Sequence, residues 1–256
     1  MLRGIDVSAE NGEIDWARVR AAGMSFCFIR AAYGDVADER AMANLEGART
    51  AGLVCGVYHF LRISRNAALQ IRLMENLITT LRIGPGQLPV VVDVEDDPHY
   101  DGAWKCSDNE PYLALLTGWI TAMQARLGTR PLIYTRAGFW EQLGKPATFT
   151  DCPLWVASYH PHRPTLPAGW SDFAFWQSSK CATVDGVPGQ VDVSYFHSAD
   201  PAALMAMTLK ATGLPQRSRQ ADAGSLSHIG LSPHLRVASP GAEKRTRCSP
   251  FFRQPS

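Results

Sequence analysis

The stretch Leu88–Asp97, LPVVVDVEDD, decides how the rest of the chain is read. Val90-Val91-Val92 is a β-branched run that suits a pleated strand, and Pro89 is tolerated at a strand's first position. Side chains alternate faces along a strand, so Asp93 and Glu95 point the same way. Their Cα atoms then lie about 6.5 Å apart. Two carboxylates side by side on a buried face repel each other, and one of them holds its proton more tightly than a free carboxyl. A general acid working near neutral pH needs that arrangement. The competing reading is a solvated strand end followed by an acidic turn, Asp96-Asp97-Pro98.

Upstream, three further strands are predicted: Gly4–Ser8, Ser25–Tyr33 and Leu53–Phe60. Between them Asp15 can cap a helix through Trp16–Ala22, closed by Gly23, and a second helix covers Asp38–Ala51. Asn66–Leu81 is a third helix, with Leu69, Leu73, Leu77 and Leu81 spaced by four on roughly one face. Downstream, Ser107–Glu110 fits a capping box for a helix that runs to Leu127 and stops at Gly128. Pro131–Thr135 is the fifth strand, Ala137–Leu143 a short helix, and Pro153–Tyr159 the sixth strand. Phe173–Ser178 and Gln190–Val193 are strands with no room for a helix between them, and Asp200-Pro201 opens a last helix to about Leu209. Strand and helix therefore alternate about five times before the chain turns strand-rich. This α/β pattern predicts a parallel sheet closed as a modified TIM-type barrel, five βα units and then a strand-rich end.

The composition suits one such domain: 256 residues, 46% hydrophobic, 19% charged, formal net charge +1. No global basic field points to nucleic acid. No apolar run is long enough to span a membrane, and the N-terminus shows no secretory signal. Six cysteines form no CxxC pair or Cys/His cluster; Cys27 and Cys55, in apolar strand-like runs, read as small buried hydrophobes, and no disulfide framework is expected. Asp96, Asp97, His99 and Asp101 match no Ca²⁺ or Zn²⁺ spacing, and no metal or other cofactor is expected. Residues 1–210 read as the barrel. Residues 211–256, rich in Ser, Arg and Pro and holding Lys244-Arg245-Thr246-Arg247 and Phe251-Phe252, read as a disordered tail.

In a barrel the active site lies at the C-terminal ends of the strands. The polar and aromatic residues predicted there are Asp6; Arg30 and Tyr33; Tyr58, His59 and Phe60; Asp93 and Glu95; Tyr134 and Thr135; Trp155 and Tyr159; Trp176 and Gln177; and Asp192. A carboxylate cluster walled by aromatics suits a sugar polymer, whose rings stack on aromatic faces and whose glycosidic oxygen needs an acid. Each residue also has a plainer reading. Asp192 can pair with Arg30 as a structural ion pair, and His59 reads as a hydrogen-bonded core residue.

These strand ends, in order, resemble glycoside hydrolase family 25, the Chalaropsis-type lysozymes. The matching pieces include Gly4–Ser8, Asn11-Gly12, Ile14–Trp16, Phe28–Ala31, Ala51–Leu53, Gly56–Phe60, Asp93–Glu95, Pro131–Thr135, Leu154–Tyr159, Phe175–Ser178, Val184–Gly189 and Val191-Asp192 with Phe196. The resemblance covers roughly residues 3–197. It implies N-acetylmuramidase action on the β-1,4 bond between N-acetylmuramic acid and N-acetylglucosamine in peptidoglycan. Glu95 is then the general acid. Asp93 is the nucleophile, or the stabiliser of an intermediate formed by the substrate's own acetamido group. Asp6 and Asp192 are supporting acids. Tyr58 resembles the family's pocket tyrosine, and Tyr33, Phe60, Tyr134, Trp155, Tyr159 and Trp176 are the other expected substrate contacts. The partner is a peptidoglycan glycan strand, met at the cell wall by an export route the sequence does not reveal; a monomer is expected. A non-catalytic glycan-binding barrel and a chitinase are the rival readings.

Overall fold

Capping side chains set several helix starts. In the computed structural model, which describes residues 1–160 and 162–211, Asp15 caps α1 (Trp16–Ala21) by accepting from Arg18 N. Asn66 does the same for α3 (Ala67–Thr80), and Asp200 for α7 (Pro201–Ala206). The remaining helices are α2 (Ala41–Thr50), α4 (Pro98–Asp101), α5 (Asn109–Leu127) and α6 (Ala137–Gln142). The strands are β1 (Arg3–Val7), β2 (Met24–Tyr33), β3 (Val36–Ala37), β4 (Val54–Phe60), β5 (Val91–Asp93), β6 (Leu132–Thr135), β7 (Leu154–Ala157), β8 (Phe175–Ala182) and β9 (Val191–Phe196). The segment predicted as a tail, with its basic cluster and Phe251-Phe252, lies outside the described residues.

The strands run β1-β9-β8-β7-β6-β5-β4-β2 around a sheet that closes through a β1–β2 pairing, and β3 hangs on β2. All neighbours in the ring are parallel except at β9, which is antiparallel to β8 and β1. Helices α1, α2, α3, α5 and α6 fill the first connections, and among the described residues no α-helix separates β7, β8 and β9. This is the expected barrel of five βα units with a strand-rich end.

Period-2 alternation sorts the strand residues into two cores. Outward residues such as Ile5, Cys27, Ile29, Val57, Val92 and Ile133 pack under the helices. Inward residues Phe26, Phe28, Val91, Leu132, Trp155, Phe175 and Phe196 fill the barrel. Gly4 and Gly56 make room for that filling. A Cβ on Gly56 would sit 2.6 Å from the Phe28 ring, and one on Gly4 would sit 2.4 Å from the Phe26 ring. Gly56→Ala is therefore expected to cost about 1–3 kcal/mol through overpacking, which lowers the thermal midpoint by roughly 2–12 °C in a domain of this size. Calorimetry checks this; an unchanged midpoint would show that the barrel interior can shift to admit a methyl group.

The structure revises some local expectations and bears out others. On α3 the buried residues are Gln70, Met74, Leu77 and Ile78, while Leu69 is exposed. A spacing of four overshoots the 3.6-residue turn, so the leucine row drifts off the buried face. The capping box at Ser107 does not form: Asp108 turns back to accept from Lys105 N at 2.8 Å, closing a 3-10 turn (Cys106–Asp108) ahead of α5. Helix α2 starts at Ala41 rather than Asp38, because the Asp38 carboxylate is engaged by Ala9 N, Arg30 and Arg40 N. His59 is fully buried, accepting at Nδ1 from Trp119 Nε1 (3.0 Å) and donating from Nε2 to Gly34 O (2.7 Å). Burial pushes its pKa down to about 4, so it is a neutral core residue. Cys27, Cys55, Cys106, Cys152 and Cys181 are free thiols. Among the described residues no helix is long and apolar enough to cross a membrane.

Candidate active site

The opening stretch forms a shorter strand than its composition suggests. Ladder pairing ends at Asp93, but the extended course continues through hydrogen bonds from Val94 N to Tyr134 O (2.9 Å) and from Thr135 Oγ1 to Val94 O (2.8 Å). Val94 is buried in the outer core. Asp93 and Glu95 on either side of it therefore both face inward, as the alternation predicts.

They open into a cavity of about 100 Å³ at the C-terminal ends of the parallel strands. Asp6, Asp192, Tyr58, Phe60, Tyr134 and Trp155 also line it. Asp6 and Asp192 are direct cross-strand partners on β1 and β9. The register places Phe60 beside Asp93, Asp93 beside Tyr134, and Tyr134 beside Trp155. Six strands thus deliver the predicted acids and these four aromatics to one place.

Two cavity residues, Gln177 and Arg30, stood out in the sequence only as polar strand-end positions. Gln177 is nearly buried and acts as a hub. Its Oε1 accepts from the Tyr134 and Tyr159 hydroxyls, both at 2.9 Å, and its Nε2 donates to Asp6 Oδ1 at 2.9 Å. Ser194, two residues beyond Asp192 and so on the same face, takes a hydrogen bond from Trp155 Nε1 (3.0 Å) and donates to Asp6 Oδ2 (3.4 Å). Asp6 is thereby locked in place by groups from β8 and β9. Arg30 pairs with Asp38 (2.8 Å) and Glu10 (3.0 Å). Asp38 comes close to Arg30 because β3 folds back antiparallel on β2.

Trp176 is not brought to the cavity. It adjoins Gln177 and points the opposite way, packed with Leu154 and Val156 and donating to Ser158 O. Only one of two consecutive strand residues can face inward. Tyr33 sits at the rim rather than in the cavity wall. A bulge in β2 between Arg30 and Ala32 brings Tyr33 into register with Phe60, and their rings pack at 4.9 Å. Tyr159 lies just beyond β7, 51% exposed, at the same rim. Trp155 is almost fully buried against Phe28 (4.4 Å, stacked) and Tyr134 (4.7 Å, edge-on), so it forms the floor rather than an open platform.

The electrostatics follow from the crowding. Among the described residues that line the cavity are four carboxylates and a single cation, Arg30. Burial pushes the Glu95 carboxyl up to about 7, with Asp96 and Asp192 adding to the rise and Arg136 opposing it. Burial raises Asp93 well above the ordinary carboxylate range too, reinforced by Glu95, Asp6 and Asp192 and opposed by Arg30. Asp93 Oδ1 is buried and meets no hydrogen-bond donor among the described residues. Such a site can keep a proton on a carboxyl at neutral pH and present a second, unsatisfied carboxyl oxygen beside it. The acids of the following loop are engaged in the protein: Asp96 with Arg136, Asp97 with Tyr33 and the α4 backbone, and Asp101 with Arg62.

A larger, shallow cleft of about 750 Å³ runs between Glu13–Arg18 and Thr183–Pro188. None of the described residues lining it is aromatic, and an exposed Arg18–Asp185 pair bridges it.

Residues 5–187 match the sequence pattern of glycosyl hydrolases family 25. Lysozyme M1 from Streptomyces globisporus is 33% identical over 219 residues, covering 80% of this chain and 71% of that protein. The crystal structure of a bacterial lysozyme from Streptomyces coelicolor superposes with a TM-score of 0.72 at 31% identity, covering 81% of this chain and 96% of the other. A muramidase from Acremonium alcalophilum gives a TM-score of 0.68 at 27% identity, covering 81% and 98%. The family match spans most of the barrel and every strand up to β8, and a relative about one-third identical accompanies it; this chain belongs to glycosyl hydrolases family 25.

Proposed function

We propose that this chain is a peptidoglycan hydrolase, an N-acetylmuramidase that cleaves the β-1,4 bond between N-acetylmuramic acid and N-acetylglucosamine. The observation that carries the reading is the Asp93–Glu95 pair: two inward carboxyls with one residue between them, in an aromatic-walled cavity whose burial raises Glu95 to about 7. Glu95 protonates the glycosidic oxygen as the bond to the leaving sugar breaks. Asp93 stabilises the positive charge that develops at the anomeric carbon, by direct attack or by holding the substrate's acetamido group as that group attacks. In the protein alone both carboxyls are drawn toward protonation; positive charge on the sugar favours the Asp93 anion when it is needed. Asp6 and Asp192, facing the pair from β1 and β9, add to that negative field, and Gln177 and Ser194 hold Asp6 in place. Tyr58, Phe60 and Tyr134 shape the sugar pocket. Residues 1–210 form the catalytic domain, which acts at the cell wall.

The test is release of reducing ends from purified peptidoglycan, with mass spectrometry of the soluble products. Reducing-terminal muramic acid is the expected product. Reducing-terminal glucosamine, or cleavage of chitin in preference to peptidoglycan, would overturn the bond assignment; binding with no new reducing ends would overturn catalysis.

A further inference from the structure

Helix α4 begins three residues after Glu95 and builds a wall that the proposed chemistry does not use. Asp97 caps it through His99 N and Tyr100 N and also accepts from the Tyr33 hydroxyl. Arg62, just past the end of β4, holds its other end. The Arg62 guanidinium gives Asp101 two hydrogen bonds of 2.6 and 2.7 Å, with side chains only 3% and 6% exposed, and Ser64 also donates to Asp101. The same guanidinium lies 4.7 Å from the Tyr33 ring centre and 5.1 Å from that of Tyr100. Tyr100 is thus backed by a buried, neutralised cation, yet it is 51% exposed.

An exposed aromatic on a short helix would ordinarily move freely. Here both ends of the helix are tied to the barrel, so the ring is presented rather than loose. It also continues a path from the candidate cavity. Phe60 lines the cavity, Tyr33 packs on Phe60 at 4.9 Å, and Tyr100 meets Tyr33 edge-on at 6.0 Å. We propose that Tyr100 is a sugar-stacking platform that extends the cleft beyond the cavity and takes the uncharged face of an N-acetylated ring of the same glycan strand. This rests on the muramidase reading. The occupant is a sugar face rather than a peptide stem, because Arg62 is already matched by Asp101 and Arg136 by Asp96, which leaves neither guanidinium to draw the carboxylates of a stem.

The test uses peptidoglycan glycan strands with and without their peptide stems. Tyr100→Ala is expected to raise KM about 3–10-fold on both substrates while kcat stays within about twofold, and Tyr100→Trp is expected to restore KM. An unchanged KM, or a loss confined to the peptide-bearing strands, overturns the platform. Calorimetric binding of peptide-free strands to Glu95→Gln, with and without Tyr100→Ala, reads the platform without turnover. Equal affinities there overturn the platform, whereas no hydrolysis by the unsubstituted protein overturns the muramidase reading instead.

Discussion

Glu95→Gln is expected to lower reducing-end release from peptidoglycan by about 10²–10⁴-fold while the protein stays folded. The amide keeps the shape of the side chain and removes only its ability to deliver a proton to the glycosidic oxygen. Burial raises the folded pKa of Glu95 as it does that of Asp93, so the amide should hold or raise the thermal midpoint at neutral pH. The unsubstituted protein should show the same chemistry in its pH profile. A general acid must be protonated to act, and burial places the Glu95 proton loss at about 7. Activity is therefore expected to fall as pH rises through about 7, whereas an ordinary glutamate would already be largely spent above about 4.3. Initial rates on peptidoglycan across pH 4–9 check both points. Wild-type rates in Glu95→Gln would remove Glu95 as the proton donor.

Asp93→Asn should give a similar loss of activity, about 10²–10⁴-fold, with a gain in stability. The loss follows from the charge: an amide cannot stabilise a positive anomeric carbon or form the bond to it as a carboxylate does. The gain follows from the burial. Asp93 is 5% exposed, faces Glu95, Asp6 and Asp192, and has an oxygen with no donor among the described residues. Replacing a carboxyl that the fold keeps from ionising is expected to stabilise the protein by about 1–3 kcal/mol at neutral pH. The sign with pH is definite. A carboxyl whose folded pKa is raised costs stability once the unfolded chain can ionise and the folded one resists. The advantage of Asp93→Asn is thus largest at neutral pH and above, and it shrinks as pH falls below about 4, where the unfolded aspartate is protonated as well. Chemical denaturation of both proteins at pH 3.5 and pH 7.5 measures the difference. Equal stability at both pH values would mean that Asp93 is not held in the repelled state described here.

Much of the site was legible because the relevant rules are local. Val90-Val91-Val92 followed by Asp93 and Glu95 requires only the two-residue period of a strand to place both acids on one face, and that face proved to be the barrel interior. The strand–helix alternation pointed to the barrel, and the barrel pointed to the strand ends. Where the reading went astray, the deciding quantity was not local. Trp176 and Gln177 are neighbours, and the sequence alone does not say which of them faces inward; that depends on how β8 pairs with β7 and β9. Tyr33 lies three residues after Arg30 and would face away from it in a regular strand, but the bulge in β2 returns it to the rim beside Phe60.

The sequence by itself determined the elements, the acid pair and the family, since propensity, period and motif order are properties of consecutive residues. Tertiary structure decided the rest: that Arg30 turns to Asp38 and Glu10, that Gln177 joins Tyr134 and Tyr159 to Asp6, and that Arg62 and Asp101 seat α4 so that Tyr100 faces solvent at the rim. Each of these contacts joins residues from separate elements, and it is the packing of strands and loops, not the order of neighbouring residues, that brings their polar atoms within hydrogen-bonding distance.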